Sequence, residues 1–301
     1  MIAERVAGPT DIESEWSRPL GGPAVLRIVL GDRLRNLREA RGVTREQAGK
    51  AVQAGHSRIG RLELGRVAAE YREVAALLTL YGVTDEKERE AVLGLARDAG
   101  LPGWWHRYGD VLPGWFDVYV GLEEAASEIR TYEVQFVPGL LQTEEYARAV
   151  ALLMHVREPE EKIARRVDLR MARQRLLTRP DGPRLRFLLD EAALRRPLGG
   201  RRVLRAQLEH LVEMCELPGV TIQVVPFDAD RPTAAGCPFT LLRFAEPALP
   251  EVVYLEQLTS ALYLDKPDDV RGYTQIMDDL CAAAGPAADT PGVLHEIIAE
   301  I

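Results

Sequence analysis

From Ala24 to Ala40 the apolar residues Leu26, Leu30, Leu34 and Leu37 fall at steps of three and four, which puts one stripe on one helix. Pro23 suits the first turn of that helix, and Gly42 suits the residue that ends it. Thr44 then stands as an N-cap before a short second helix, "TREQAGKAV". "QAG" is the turn, and "HSRIGRLE" is a third helix ending near Gly65. Tyr71 to Tyr81 carries Val74, Leu77 and Leu78 on one face, and Asp85 to Asp98, opened by Thr84, has acids in its first turn. The spacing therefore predicts a compact all-α domain over 23–99. The residues before it, 1–22, are polar and broken by Gly and Pro, and read as a disordered arm.

The pattern changes after residue 99. Residues 100–116, "GLPGWWHRYGDVLPGWF", hold three of the four tryptophans and read as an aromatic connector packed between domains. "EIRTYE", "RLRFLLDE", "VTIQVVPF", "PFTLLRF" and "VVYLEQL" are strands rich in β-branched and aromatic residues. Between and after them, "TEEYARAVALLM", "EPEEKIARRVDLRMARQRLLT", "RRVLRAQLEHLVEMCEL", "PDDVRGYTQIMDDLCAAA" and "PGVLHEIIAEI" read as helices, the second with many i,i+4 ion pairs. This predicts an α+β domain over 117–301 with a mostly antiparallel sheet.

Composition narrows the function. A chain of 301 residues, 47% apolar, is long enough for two cores. No apolar run approaches the length of a bilayer span, and the acidic start resembles neither a signal nor a transit peptide, so a cytoplasmic protein is expected. Cys215, Cys237 and Cys281 form no CxxC pair and read as small buried residues. The five histidines are scattered, and no metal site or cofactor is expected. "GHSRIGR" lacks the Lys and Ser/Thr of a phosphate loop, and "GHSRI" lacks the last Gly of a nucleophile elbow. Asp190, Glu191, Arg195 and Arg196 read as a capped helix start rather than a catalytic set. No catalytic residue is assigned and the chain is not expected to be an enzyme; an enzyme housed in residues 115–285 is the competing expectation.

Charge is distributed unevenly. The net charge is −8, yet Gly31 to Arg66 holds nine Arg or Lys against four acids. A basic block on an acidic body suits a polyanion, because a phosphate senses the field within about 10 Å. A helix-turn-helix places its second helix in the major groove while the first crosses the backbone. Ala48 and Gly49 suit the close approach of the two helices, with Val52, Ile59 and Leu62 turned inward. His56, Ser57, Arg58 and Arg61 are left outside, with Thr44 and Arg45 at the start of the preceding helix. A solvated basic helix in an ordinary bundle is the alternative.

The stretch "LGDRLRNLREARGVTREQAGKAV…SRIGRLELGR" resembles the XRE-type helix-turn-helix of phage repressors, over Leu30 to Tyr81. The resemblance implies a structural ion pair between Arg38 and Glu63. It implies base reading by His56, Ser57 and Arg61, and phosphate contacts from Thr44, Arg45, Arg58 and Arg66. Three positions depart from the pattern: Gln53 where the turn usually has Gly, Gly55 where the helix usually has a Ser or Thr cap, and Gly60 inside the helix. Further on, "GWWHRYGDVLPGWF", "YEVQFVPGLLQTEEYARA", "LDEAALRRPLGG", "FTLLRF" and "VVYLEQLTSALYL" resemble the C-terminal domain of a group of actinobacterial XRE-type regulators described as antitoxin-like. That likeness implies a transcriptional regulator that works with a small protein encoded nearby.

The expectation is a homodimer on a pseudo-palindromic double-stranded DNA operator, with a C-terminal domain that binds a protein or small-molecule effector. The competing expectation is an antitoxin-like module that mainly sequesters its partner. Trp104, Trp105, Tyr108, Trp115, Phe116 and Tyr119 are candidates for an effector pocket or an interface core.

Overall fold

The computed structural model describes residues 23–65, 67–229, 237–246 and 249–301. It divides into two compact units, residues 1–99 and residues 100–301. The expected arm, residues 1–22, lies outside the described residues.

The first unit is all helical: α1 (Pro23–Ala40), α2 (Arg45–Ala51), α3 (His56–Glu63), α4 (Tyr71–Leu80) and α5 (Glu86–Ala99). Leu30, Leu34, Ile59, Leu62, Val74, Leu77 and Leu78 form its core, each at most 2% exposed. Gly42 ends α1 with φ +64°, a conformation glycine adopts without steric cost. Thr44 caps α2 through a reciprocal box: its hydroxyl accepts from the Gln47 backbone N–H at 3.2 Å, and the Gln47 side-chain Oε1 accepts from the Thr44 N–H at 2.8 Å. The cap of α5 falls one residue beyond the expected Thr84. Asp85 accepts from the N–H of Lys87 at 2.8 Å and of Glu88 at 3.3 Å, where a carboxylate also complements the helix dipole.

The second unit is α+β. Its strands are β1 (Glu128–Glu133), β2 (Arg184–Asp190), β3 (Val220–Val225), β4 (Phe239–Arg243), β5 (Val252–Glu256) and β6 (Ala261–Leu264), in the order β3-β2-β1-β4-β5-β6. The β1–β2 and β2–β3 pairs are parallel and the other three antiparallel, so the sheet is mixed but mostly antiparallel. The helices are α6 (Gly114–Ala125), α7 (Glu144–Met154), α8 (Glu160–Arg173), α9 (Glu191–Arg195), α10 (Arg201–Met214), α11 (Pro267–Ala283) and α12 (Thr290–Glu300). One apolar cluster joins Tyr132, Phe239, Leu241 and Val253 of the sheet to Met277 and Leu280 of α11.

Several local expectations change. α6 has no counterpart among the expected elements, because Tyr119 to Glu123 are buried without a break and leave no polar face to give a helical period. β6 is likewise new: it pairs with β5 and has only half-buried or exposed residues. Among the described residues, ion pairs of α8 leave the helix rather than run along it. Arg165 pairs with Asp110, Arg166 with Glu158, Arg173 with Glu123, and Glu160 with Arg148. The three cysteines are free and half-buried rather than buried. Asp190 caps α9, accepting from Ala192 N–H at 2.9 Å, and Glu191 pairs with Arg195 on the same helix.

Candidate functional site

In the first unit, α2 and α3 meet so closely that only glycine fits at position 49. A Cβ there would sit 2.5 Å from the Ala54 carbonyl oxygen. A Cβ on Gly31 of α1 would come equally close to the carbonyl oxygen of Leu62 in α3. The turn between α2 and α3 places Gln53 at φ +54°, the left-handed conformation that usually falls to glycine. Gly55 is the N-cap of α3 and supplies no side-chain hydrogen bond.

An internal charge cluster holds the motif. Glu63, at the end of α3, has a side chain only 1% exposed. Its Oε1 pairs with Arg38 Nε, its Oε2 accepts from Arg38 Nη2 at 3.1 Å, and Oε2 also accepts from Arg45 Nε at 2.9 Å. Arg38 Nη1 further donates to the Val43 carbonyl at 2.9 Å, tying the α1–α2 turn to α3. Arg58 is engaged as well. Its Nε and Nη2 donate to the two oxygens of Glu73 on α4, each at 2.8 Å. That bond holds the Glu73 carboxyl below its ordinary range and raises Arg58.

His56, Ser57 and Arg61 remain. All three are exposed on α3, and among the described residues nothing hydrogen-bonds or pairs with their side chains. The candidates for DNA contact thus fall into two groups. His56, Ser57 and Arg61 are unengaged, whereas Thr44, Arg45 and Arg58 have internal partners. Arg45 keeps an exposed side chain despite its bond to Glu63. Arg66 lies outside the described residues.

In the second unit the six aromatic candidates separate. Trp105, 1% exposed, donates Nε1–H to Asp117 at 2.6 Å. Trp104 packs edge-on against Trp105 and Tyr108, and this group lies with Val120 and Leu169 in a core cluster. These three rings therefore hold the 104–108 turn to α6 and α8 within the unit. Trp115 offers its backbone carbonyl to the Tyr263 hydroxyl at 2.6 Å. Phe116 and Tyr119 line a cavity of about 470 Å³ between α6, α8 and the sheet.

That cavity also holds charged residues that sequence reasoning missed: Glu123, Glu133, Arg170, Arg173 and Glu256. Arg173 donates Nε at 2.8 Å and Nη2 at 2.6 Å to Glu123, and lies over the rings of Phe116 and Tyr119. The available signal was weak: glutamates ending strands of otherwise β-forming residues, in "EIRTYE" and "VVYLE".

A helix-turn-helix domain model matches residues 29–92. The model described as a domain of unknown function, DUF5753, matches residues 116–296. Neither the curated proteins nor the solved structures contain a match to this chain. With the second match spanning more than half of its length, the chain belongs to the DUF5753 family and carries a helix-turn-helix domain ahead of the family's own domain.

Proposed function

We propose that the chain is a sequence-specific transcriptional regulator of XRE type. The observation that supports this best is the unengaged trio on α3. His56, Ser57 and Arg61 share the exposed side of a helix whose other face and neighbouring charges are committed to the fold. Arg61 would take the O6 and N7 acceptors of a guanine, while His56 and Ser57 meet neighbouring base edges. Arg45, and Arg66, would hold the phosphate backbone. A homodimer would read a pseudo-palindromic operator with half-sites about one helical turn apart. In this reading the second unit binds an effector, and the chain acts by binding rather than by catalysis, in the cytoplasm.

Selection of bound duplexes from a random library by the purified chain tests this reading. Recovery of a two-fold motif, with affinity falling linearly with the logarithm of salt concentration, is the expected result. Enrichment of no motif would remove sequence-specific reading.

One observation favours a second reading, an antitoxin-like module that sequesters a small protein. At the end of α7, Leu152, Leu153 and Met154 are exposed, and Val156 just beyond is 80% exposed. Such a patch suits a partner's apolar face. Charged substitutions at Leu153 and Val156 that abolish co-purification of a neighbouring gene product, while operator binding persists, would support it.

A further inference from the structure

The cavity of the second unit contains opposite charges that do not meet. The strand register explains how they come to face it. Thr131 of β1 lies opposite Thr240 of β4, which lies opposite Tyr254 of β5, so the three share one face of the sheet. Two residues further along their strands, Glu133 and Glu256 share that face at the same end. They are two strand spacings apart, roughly 10 Å between backbones. Arg170 reaches into the same cavity from α8.

None of these groups is fully partnered among the described residues. Glu133 accepts no hydrogen bond and makes no ion pair among the described residues. Among the described residues, the Glu256 carboxylate accepts only from its strand neighbour, the Tyr254 hydroxyl, at 3.0 Å. Arg170 uses Nη1 alone, donating to Gln142 Oε1 at 3.0 Å and to the Ala147 carbonyl at 3.4 Å. Its Nε and Nη2 find no acceptor among the described residues. Glu133 and Arg170 are half-buried and Glu256 is exposed at the cavity mouth, so their free atoms stay open to a ligand, where a charge that served only the fold would be expected to pair. Arg173 and Glu123 do so in the same cavity. Glu133 and Arg170 instead lie beyond ion-pair distance across a space that a small molecule can fill.

We propose that this cavity binds a small zwitterion with an amino-acid head group, its ammonium held by Glu133 and Glu256 and its carboxylate by Arg170. The ammonium supplies the donors that the two glutamates lack, and the carboxylate can accept from the free Nε and Nη2 edge of the guanidinium. At the rim, Met154 and Leu258 are exposed, and with Phe136 and Val150 they offer an apolar seat for the ligand's side chain. The electrostatics agree with this arrangement. Burial, with Glu256 nearby, pushes Glu133 up to about 8, while burial and Arg173 pull Arg170 down to about 10. An ammonium beside Glu133 would lower it again, so binding at pH 7 would release a proton.

This inference deepens the effector reading above and rests on it only for its regulatory meaning. The test is calorimetry of the full chain with each of the twenty L-amino acids. At least one is expected to bind, and its decarboxylated amine and its deaminated acid are each expected to bind at least about tenfold more weakly. Glu133→Gln and Arg170→Met should each weaken it by about tenfold or more. Proton release at pH 7, read from the dependence of the enthalpy on buffer, should vanish in Glu133→Gln. Glu133→Gln breaks no side-chain bond among the described residues, so it keeps the test valid should Arg170→Met fold poorly. No binding at about millimolar amino acid would overturn the proposal, as would an amine or an acid that binds as tightly as the zwitterion. Operator affinity measured with and without the bound amino acid separates the two readings. Unchanged affinity would leave the site standing and remove its role as an effector site.

Discussion

Arg58 of α3 and Glu73 of α4 form a two-pronged pair, both bonds 2.8 Å long, and the same Glu73 carboxylate accepts the Glu70 N–H at 3.0 Å to cap α4. A residue that sequence reasoning placed on the DNA backbone thus clamps two helices. Arg58→Ala should lower stability by about 1 kcal/mol, because the pair is only partly shielded from water. The slope of log affinity against log salt concentration should stay unchanged. A slope reduced by about one unit would instead place Arg58 on a phosphate.

Arg61 should behave in the opposite way. Arg61→Ala should cost about 1–3 kcal/mol of affinity for the selected operator and relax preference at one base position. Thermal denaturation should move little, because the side chain is exposed and unengaged. Full retention of operator affinity would remove the proposed docking.

Two of the departures from the usual motif, Gln53 and Gly60, predict gains, and the close approach at Gly49 predicts a loss. Gln53→Gly relieves a left-handed backbone and should stabilise the unit by about 1 kcal/mol. A Cβ on Gly60 meets nothing within 4 Å, so Gly60→Ala should add a similar amount. Gly49→Ala should destabilise severely, since its methyl would strike the Ala54 carbonyl. Chemical denaturation of the three variants checks the order.

Arg38 and Glu63 are both nearly sealed from solvent, and Arg38 draws most of its raised affinity for the proton from its bond to Glu63. Arg38→Met would leave Glu63 with the exposed Arg45 as its remaining cation. The expected cost is about 3–5 kcal/mol. Glu63→Gln should cost less, because the amide oxygen still accepts from Arg38. A loss under 1 kcal/mol for Arg38→Met, in denaturant titration, would show that Arg45 suffices.

Glu133 gives the protein an unfavourable pH dependence. Its carboxyl is raised to about 8 in the folded chain and titrates near the ordinary range when unfolded. Below both values it is neutral in both states and costs nothing. As the pH rises toward 8 the unfolded state ionises first, and folding loses stability progressively. Glu133→Gln should therefore stabilise the chain at pH 8 and leave it little changed at pH 4. Equal effects at both values would mean that Glu133 is already matched by a charge in the folded protein.

Much of the fold was legible because its signals are local. Helical periodicity, the Thr44 cap and the Gly42 terminus lie within a few residues of the elements they define, and all five helices of the first unit begin and end near where those signals place them. The alternating and β-branched runs likewise marked β1 to β5. α6 and β6 escaped because burial on all sides, or partial exposure on both faces, erases the pattern.

The sequence by itself determined the two kinds of domain, the position of the helix-turn-helix and the basic character of its exposed side, all consequences of spacing along the chain. Only the tertiary structure decided which charges are spent. Arg58 and Arg61 are three residues apart on one helix, yet Glu73 of another helix engages the first and nothing described engages the second. Strand order did the same for Glu133 and Glu256, and the packing of α8 on the sheet for Arg170; the three lie far apart in sequence and meet around one cavity. Pairing energies depend on separation in space, and alternation along a strand carries no information about which strand lies beside it.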